Sequence, residues 1–386
     1  MTAGFSSSLK IAFLSAGNTQ SRRYWSGSPH YMAKALERQG CQITYLGPVG
    51  LSPRKLAGKI ANRVSQILFH KVYDWMDTFW LAKEYAKIFK KKLAEQSFNA
   101  IVAPASRTEI AFLETEIPIL YAADATFKAV SDYHQGFTGM WDVSVREGNA
   151  LEQAAINRAA LLAYASDWAA QSALKDYNAD PSKVHIIPFG ANLDEIPSSE
   201  EVLKRKKADR CRLLFLGVNW KRKGGEIAFE TFQKLAEMGL QTELTVCGCK
   251  PPKEFSHKNM NVIPFLDKND PHQRRILSDL FLASDFLLLP TRNECYGVVF
   301  CEANAFGLPA IATNTGGVPT IIRNGENGYL LPPEAGGADY AKLIAEIYSD
   351  DARYYELCRT SRQAFDQRLN WDVWAQKVKN LISVIL

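Results

Sequence analysis

Short apolar runs alternating with amphipathic stretches, twice over, constrain this chain more than any other feature. In the first half, "LKIAFLS", "CQITYL", "AIVA", "ILYAAD" and "VHIIPFG" are apolar enough to be strands buried on both faces. Between the first two, "SPHYMAKALERQG" has Met32, Ala35 and Leu36 at helical spacing, Pro29 in a first turn and Gly40 as a stop. This is the strand–helix alternation of a parallel sheet. It breaks at "DEIPSSEEVLKRKKADR", a charged linker with little to bury, and restarts with "CRLLFLG", "TELTVCG", "NVIPFL", "DFLLLP", "PAIATN" and "NGYLLPP". There the helix "EIAFETFQKLAEMG" carries Ala228, Phe232, Leu235 and Ala236 on one face. The expected fold class is α/β, with two Rossmann-like, doubly wound parallel-sheet domains over residues 1–190 and 191–369. The closing helix, 370–386, is able to pack back on the first. Two such domains facing a central cleft bind ligands outside the carboxyl ends of their strands, so function is sought in the loops that follow strands.

The bulk properties agree with that reading and exclude others. A chain of 386 residues, 47% apolar, exceeds what one compact core accommodates. No segment approaches the roughly 18 consecutive apolar residues of a membrane span. "MTAGFSSSLKIAFLSAGNTQ" lacks the basic start and cleavage site of a leader, so a cytoplasmic location is expected. Of seven cysteines only Cys247 and Cys249 lie close together, on one face of a strand, and no second pair has zinc spacing. Reduced thiols are expected rather than a metal site. The net charge of +5 is too small and too evenly spread for nucleic acid, and it permits an anionic small-molecule substrate.

Three loops carry candidate chemistry. "VNWKRKGGEIAFE" sets a basic triplet and two glycines between a strand and a helix, where backbone N–H groups, Arg222 and Lys223 favour a phosphate. The alternative is a solvated basic turn. "SAGNTQSRRYWSGSPHYM" places Gly27 and Ser28 at a helix start, which suits a phosphate or sugar hydroxyl, or an N-cap at Ser28. In "LPTRNECYGVVFCEANAF", Glu294 lies in a loop and Glu302 inside a helix beginning near Gly297. Eight helical residues span about 12 Å, beyond the roughly 5–9.5 Å across which two carboxylates serve one glycosidic bond. The pair therefore reads as two contacts along one nucleotide-linked ligand rather than an acid/base couple.

These residues carry a resemblance. "ASDFLLLPTRNECYGVVFCEANAFGLPAIATNTGGVPTIIRNGENGYLLPP" resembles the donor-site block, with its E-x7-E signature, of retaining glycosyltransferases of the group 1 (GT4) family, which have the GT-B fold. "LLFLGVNWKRKGG" is similar to that family's phosphate-clamp loop, "ASDWAAQSALKDYNADPSKVHIIPFGANLD" to its domain-closing segment, and "SGSPHYMAKALERQG" to its N-terminal glycine loop and helix. The resemblance implies that Glu302 binds the ribose hydroxyls of a nucleotide-sugar donor and Glu294 contacts the transferred sugar. It implies further that Arg222 and Lys223 hold the diphosphate with Asn219 in the same loop and with the N–H groups of Gly297, Val298 and Val299. Phe265 and Leu266 match the segment flanking the base, and Gly27 the loop approaching the phosphates. The family works without a bound metal, and no D-x-D sequence occurs here, so neither metal nor other cofactor is expected.

The chain departs from the family pattern at three positions. Val218 follows Gly217 where many members have arginine, Asp124 stands where a histidine is usual, and Thr320 stands where an acidic residue is common. Asp124 is a candidate to hydrogen-bond the sugar, to act as base for the acceptor hydroxyl, or to cap a turn. The implied reaction is transfer of a hexosyl group from a UDP- or GDP-sugar to a sugar, lipid-linked or small-molecule acceptor. An epimerase, a phosphorylase and a non-catalytic sugar-nucleotide-binding protein of the same fold use the same loops. Finally, "HKVYDWMDTFWLAKEYAKIFKKKLAEQ" mixes aromatics with Lys83, Lys87, Lys90, Lys91 and Lys92. It is either a core-packing helix with a solvated lysine end or a helix lying on an anionic membrane.

Overall fold

The computed structural model describes residues 8–50 and 52–386; residues 1–7, part of the stretch read above for a leader, lie outside them. Residues 1–188 with 371–386 form one compact unit and 189–370 a second. Each is built on a six-stranded, wholly parallel sheet among the described residues. The first contains β1 (Lys10–Phe13), β2 (Gln42–Tyr45), β3 (Ala100–Pro104), β4 (Ile119–Ala123), β5 (Leu161–Tyr164) and β6 (Val184–Ile186) in the order 2-1-3-4-5-6. The second contains β7 (Cys211–Leu216), β8 (Thr242–Cys247), β9 (Met260–Ile263), β10 (Phe286–Leu289), β11 (Ala310–Thr313) and β12 (Gly328–Leu331) in the order 12-11-10-7-8-9. β3, β4, β5, β10 and β11 are buried at every residue, as strands covered on both faces must be.

The order of the strands locates the ligand-binding ends. In the second sheet the chain runs outward from β7 through β8 and β9, then returns to the other side of β7 as β10. The loops that follow β7 and β10 therefore leave neighbouring strands at the point where the strand order reverses, which is where open α/β sheets bind ligands. The first sheet reverses in the same way between β1 and β3.

Several local expectations need correction. β5 is absent from the strands read above, because "AAINRAALLAYASDWAAQSAL" is one alanine-rich apolar run in which periodicity cannot separate a buried strand from its flanking helices. The segment 194–210 is more than a solvated linker. Val202 is buried, Arg205 donates to the carbonyls of Phe281 and Phe306 at 3.1 Å, and the Lys207 ammonium sits 4.3 Å from the Tyr348 ring centre. Ala236 is exposed, and Phe229 and Thr231 complete the buried side of the Gly225–Glu237 helix. β8 ends at Cys247, so Cys249 lies beyond the strand, past the left-handed Gly248. The helix Phe79–Leu93 buries Leu81, Ala82, Tyr85, Phe89 and Leu93, which turns two of its four aromatics into the core and leaves Phe79 and Trp80 exposed. The closing helix, Trp371–Ile385, belongs to the first unit: Arg38 donates to Asp372 at 2.8 Å and Lys379 to the Gln39 carbonyl at 2.7 Å. No helix among the described residues is long and apolar enough to cross a membrane.

Candidate functional site

In the second unit, residues some seventy positions apart meet where β7 and β10 end. The turn after β7 is held open by its own contacts. Trp220 is buried against Phe215 and Phe255, with ring centres 5.3 and 5.4 Å apart, and the Asn219 side chain accepts from Arg222 N at 2.9 Å. Gly224 then takes φ +76°, and a Cβ there would lie 1.9 Å from the Pro290 carbonyl oxygen. Only glycine lets the β7 loop press this closely on the end of β10. The seam is closed by Arg292 N donating to the Arg222 carbonyl at 2.8 Å and by the Arg222 guanidinium donating to the Asn293 carbonyl at 2.9 Å.

That seam directs two cations at one carboxylate. Lys223 donates to Glu294 Oε2, and Arg222 Nη1 lies 3.7 Å from the same oxygen. All three side chains are largely buried, so solvent screens their charges weakly. Just beyond, Gly297 at φ +96° caps the helix Val298–Ala305, whose first-turn N–H groups at Val298 and Val299 are not consumed within the helix. The two glutamates are thus not joined by eight helical residues: the helix begins after Gly297, and Glu294 is turned toward the β7 loop. Glu302 lies one turn inside the helix, buried, its Oε1 2.5 Å from Lys268 Nζ.

Lys268 was not singled out from the sequence. The available signal is its position two residues after Leu266 in the loop following β9, beside the segment matched to the base. Phe265 is exposed in that loop and Leu266 half-buried. Val218 is exposed beside Gly217, so no arginine side chain projects from that position.

Gly27 and Asp124 stand on the first unit. Gly27, at φ +89°, and not Ser28, is the N-cap residue of the helix Ser28–Arg38, and Trp25 and Ser26 before it are also left-handed. Two successive non-glycine residues in that region make a strained turn. Asp124 directly follows β4, and capping of the following turn falls to Thr126, which accepts from Ala129 N at 3.2 Å.

A buried carboxyl at the β1/β3 reversal was also missed by the sequence reading. Glu109 Oε1 accepts from Ala16 N at 2.9 Å, and burial, reinforced by Asp77, raises its pKa to about 7 against the partial relief of its hydrogen bonds and Arg107. Glu152 is likewise raised to about 7 by burial, opposed by Arg107 at 3.6 Å. Such a group favours folding while protonated, below about pH 4.5, and that contribution is lost as pH rises through about 7. Glu109→Gln keeps the acceptor for Ala16 N and cannot ionise. Its Tm relative to wild type is therefore expected to climb between pH 5 and 8, by on the order of 1–3 kcal/mol of stability. Thermal melts across that range check this; a constant difference would mean Glu109 does not titrate there.

Among the described residues no group of three or more His, Cys, Asp or Glu side chains is placed to hold a metal ion. Residues 199–367 match the model of the family described as glycosyl transferases group 1. The D-inositol 3-phosphate glycosyltransferase of Xylanimonas cellulosilytica is 27% identical over 220 residues, 53% of this chain and 52% of that protein. The chain thus spans about half the length of the curated relative it matches there. Among solved structures, sucrose-phosphate synthase of Thermosynechococcus elongatus superposes with a TM-score of 0.70 at 17% identity, covering 98% of this chain and 99% of that one. An Anabaena protein in complex with UDP and glucose gives 0.63 at 15% identity, covering 97% and 100%. Residues 199–367 thus carry the likeness to the group 1 glycosyl transferases, and the two Rossmann-like sheets are those of the GT-B fold.

Proposed function

We propose that this chain is a retaining glycosyltransferase that moves a hexosyl group from a nucleoside diphosphate sugar, a UDP- or GDP-sugar, to an acceptor hydroxyl in glycan, polysaccharide or glycolipid synthesis. The observation that carries this is the convergence of Lys223 and Arg222 on Glu294, beside the helix start at Gly297, at the topological switch point of the second sheet. The solved Anabaena structure, which holds UDP and glucose on a chain of this fold, supports a nucleotide-sugar donor.

In the proposed reaction the bond between the sugar's anomeric carbon and the diphosphate oxygen breaks, and the acceptor oxygen bonds to that carbon on the same face. Negative charge grows on the leaving diphosphate, where Lys223, Arg222 and the amides of Gly297, Val298 and Val299 meet it with dipoles and charges already oriented. Their charge does the work a divalent metal does elsewhere, so the proposal needs no metal. Glu294 contacts the departing sugar and Glu302 accepts from the ribose hydroxyls, with Phe265 and Leu266 beside the base. On the first unit, Gly27 approaches the phosphates and Asp124 is the candidate to receive the acceptor's proton.

The test begins with a thermal-shift panel of UDP, GDP, ADP and their sugars, followed by turnover with the donor that stabilises most. Glu302→Gln is then expected to weaken the matching nucleoside diphosphate by about 10- to 100-fold in titration calorimetry, the range for losing hydrogen bonds to a charged acceptor. Unchanged nucleotide affinity would remove Glu302 from the ribose. Binding without turnover on any acceptor would favour a non-catalytic sugar-nucleotide protein.

A further inference from the structure

The helix Pro53–Phe69 of the first unit is amphipathic in the reverse sense. Its small and polar side faces the protein: a Cβ on Gly58 would lie 2.7 Å from Trp75 Cβ, Asn62 Oδ1 accepts from Tyr73 N at 3.1 Å, and Ser65, the helix's buried residue, donates to the Lys71 carbonyl at 2.8 Å. Its apolar side faces solvent. Leu56, Ile60, Val64, Ile67 and Leu68 recur at the three- and four-residue spacing of one stripe and are each between 45% and 65% exposed. Met76 and Trp80 are also about half exposed, and Trp80 lies beside the helix beneath the Arg54 guanidinium, 4.4 Å away. A stripe of this size left open to water needs something to cover it.

Charge selects the occupant. The helix's seventeen residues include Arg54, Lys55, Lys59 and Arg63 and no aspartate or glutamate. Arg63 falls along the edge of the apolar stripe at 100° per residue, while Lys59 leans back over the Trp75 ring at 5.4 Å and Arg54 pairs with Glu84 at 3.3 Å. A second copy meeting this face across a two-fold axis would set lysine and arginine against lysine and arginine. An anionic bilayer instead accepts the aliphatic side chains among its acyl chains and the cations at its headgroups. We propose that the Pro53–Phe69 helix is a membrane-docking element that lies in the interface of an anionic lipid surface. Apolar exposure with a basic flank, rather than the lysines of Phe79–Leu93, marks it. The proposal is independent of sugar transfer and holds or fails on lipid binding alone.

Flotation of the full chain with phosphatidylcholine vesicles containing about 30% phosphatidylglycerol tests it, with pure phosphatidylcholine vesicles as the comparison. Co-flotation with the anionic vesicles, weakened by high salt, is expected. Ile60→Glu with Ile67→Glu, at two exposed positions, is expected to cut partition by about a hundredfold or more while leaving Tm unchanged. Independently of any variant, vesicles with brominated acyl chains are expected to quench the wild-type tryptophan emission through Trp80. Wild-type protein that stays unfloated with both vesicles, absence of quenching, or a folded double variant that floats like wild type would each overturn the proposal. So would a wild-type dimer that the double variant breaks, because the stripe would then belong to a second copy.

Discussion

Lys223→Ala is expected to lower kcat/KM for the donor a hundred- to a thousandfold, about 2.7–4 kcal/mol of transition-state stabilisation, with nucleoside diphosphate release as the readout. The size follows from position. Lys223 is buried at the end of the β7 loop, and Gly217 gives its stem room, since a Cβ there would come within 2.8 Å of Lys223 Cγ. Its ammonium is therefore held in place before a substrate arrives, and little of its effect is spent on ordering it. Removing it also takes from the largely buried Glu294 its ammonium partner, so a fall in Tm is expected alongside the loss of rate. The double change Lys223→Ala with Glu294→Gln separates the two effects. It removes the charge of the carboxylate that faced the ammonium and is expected to recover Tm without recovering rate. A Lys223→Ala protein with undiminished turnover at subsaturating donor would take Lys223 out of the reaction.

The second large effect is structural. Gly224→Ala is expected to lower Tm by about 5–15 °C in the second unit and to abolish nucleotide-induced stabilisation. The left-handed backbone costs an alanine about 1–2 kcal/mol, and the collision with the Pro290 carbonyl adds about 1–3 kcal/mol. Gly239 provides the control, because its φ is +86° and nothing lies within 4 Å of its missing Cβ. Gly239→Ala should show the backbone strain without the collision, a smaller loss with nucleotide binding intact. Equal losses at the two positions would mean that the approach of the β7 loop to β10 does not govern the site.

Both predictions concern a seam that the sequence conceals. Periodicity identifies β7 and β10 as separate strands, each followed by a polar loop, because burial on two faces leaves an apolar run that any reader can find. Nothing in the residues between them says that β10 returns to the far side of β7, since strand order depends on long-range pairing and not on local pattern. The meeting of Arg222 and Lys223 with Glu294 could be inferred only from a family resemblance. The ion pair between Lys268 and Glu302 was not inferred at all, because Lys268 sits in an irregular loop with no spacing to mark it. Glu109 was hidden for a related reason: a carboxyl in "SRTEIAFL" looks solvated until β1 and β3 are seen to be neighbours.

The helix Pro53–Phe69 shows the limit from the other side. Its sequence carries an ordinary amphipathic stripe, and pattern alone would turn that stripe inward. Gly58, Asn62 and Ser65 decide otherwise, because their backbone-close contacts with Trp75, Tyr73 and Lys71 seat the opposite face. Composition and periodicity suffice for two parallel α/β units and for naming the loops that carry charge, since burying apolar surface with hydrogen-bonded backbone leaves few other solutions. Which loops meet, which carboxylates are paired or buried, and which apolar face stays in water are set by the packing of residues distant in the chain. Those are contacts that no local propensity encodes.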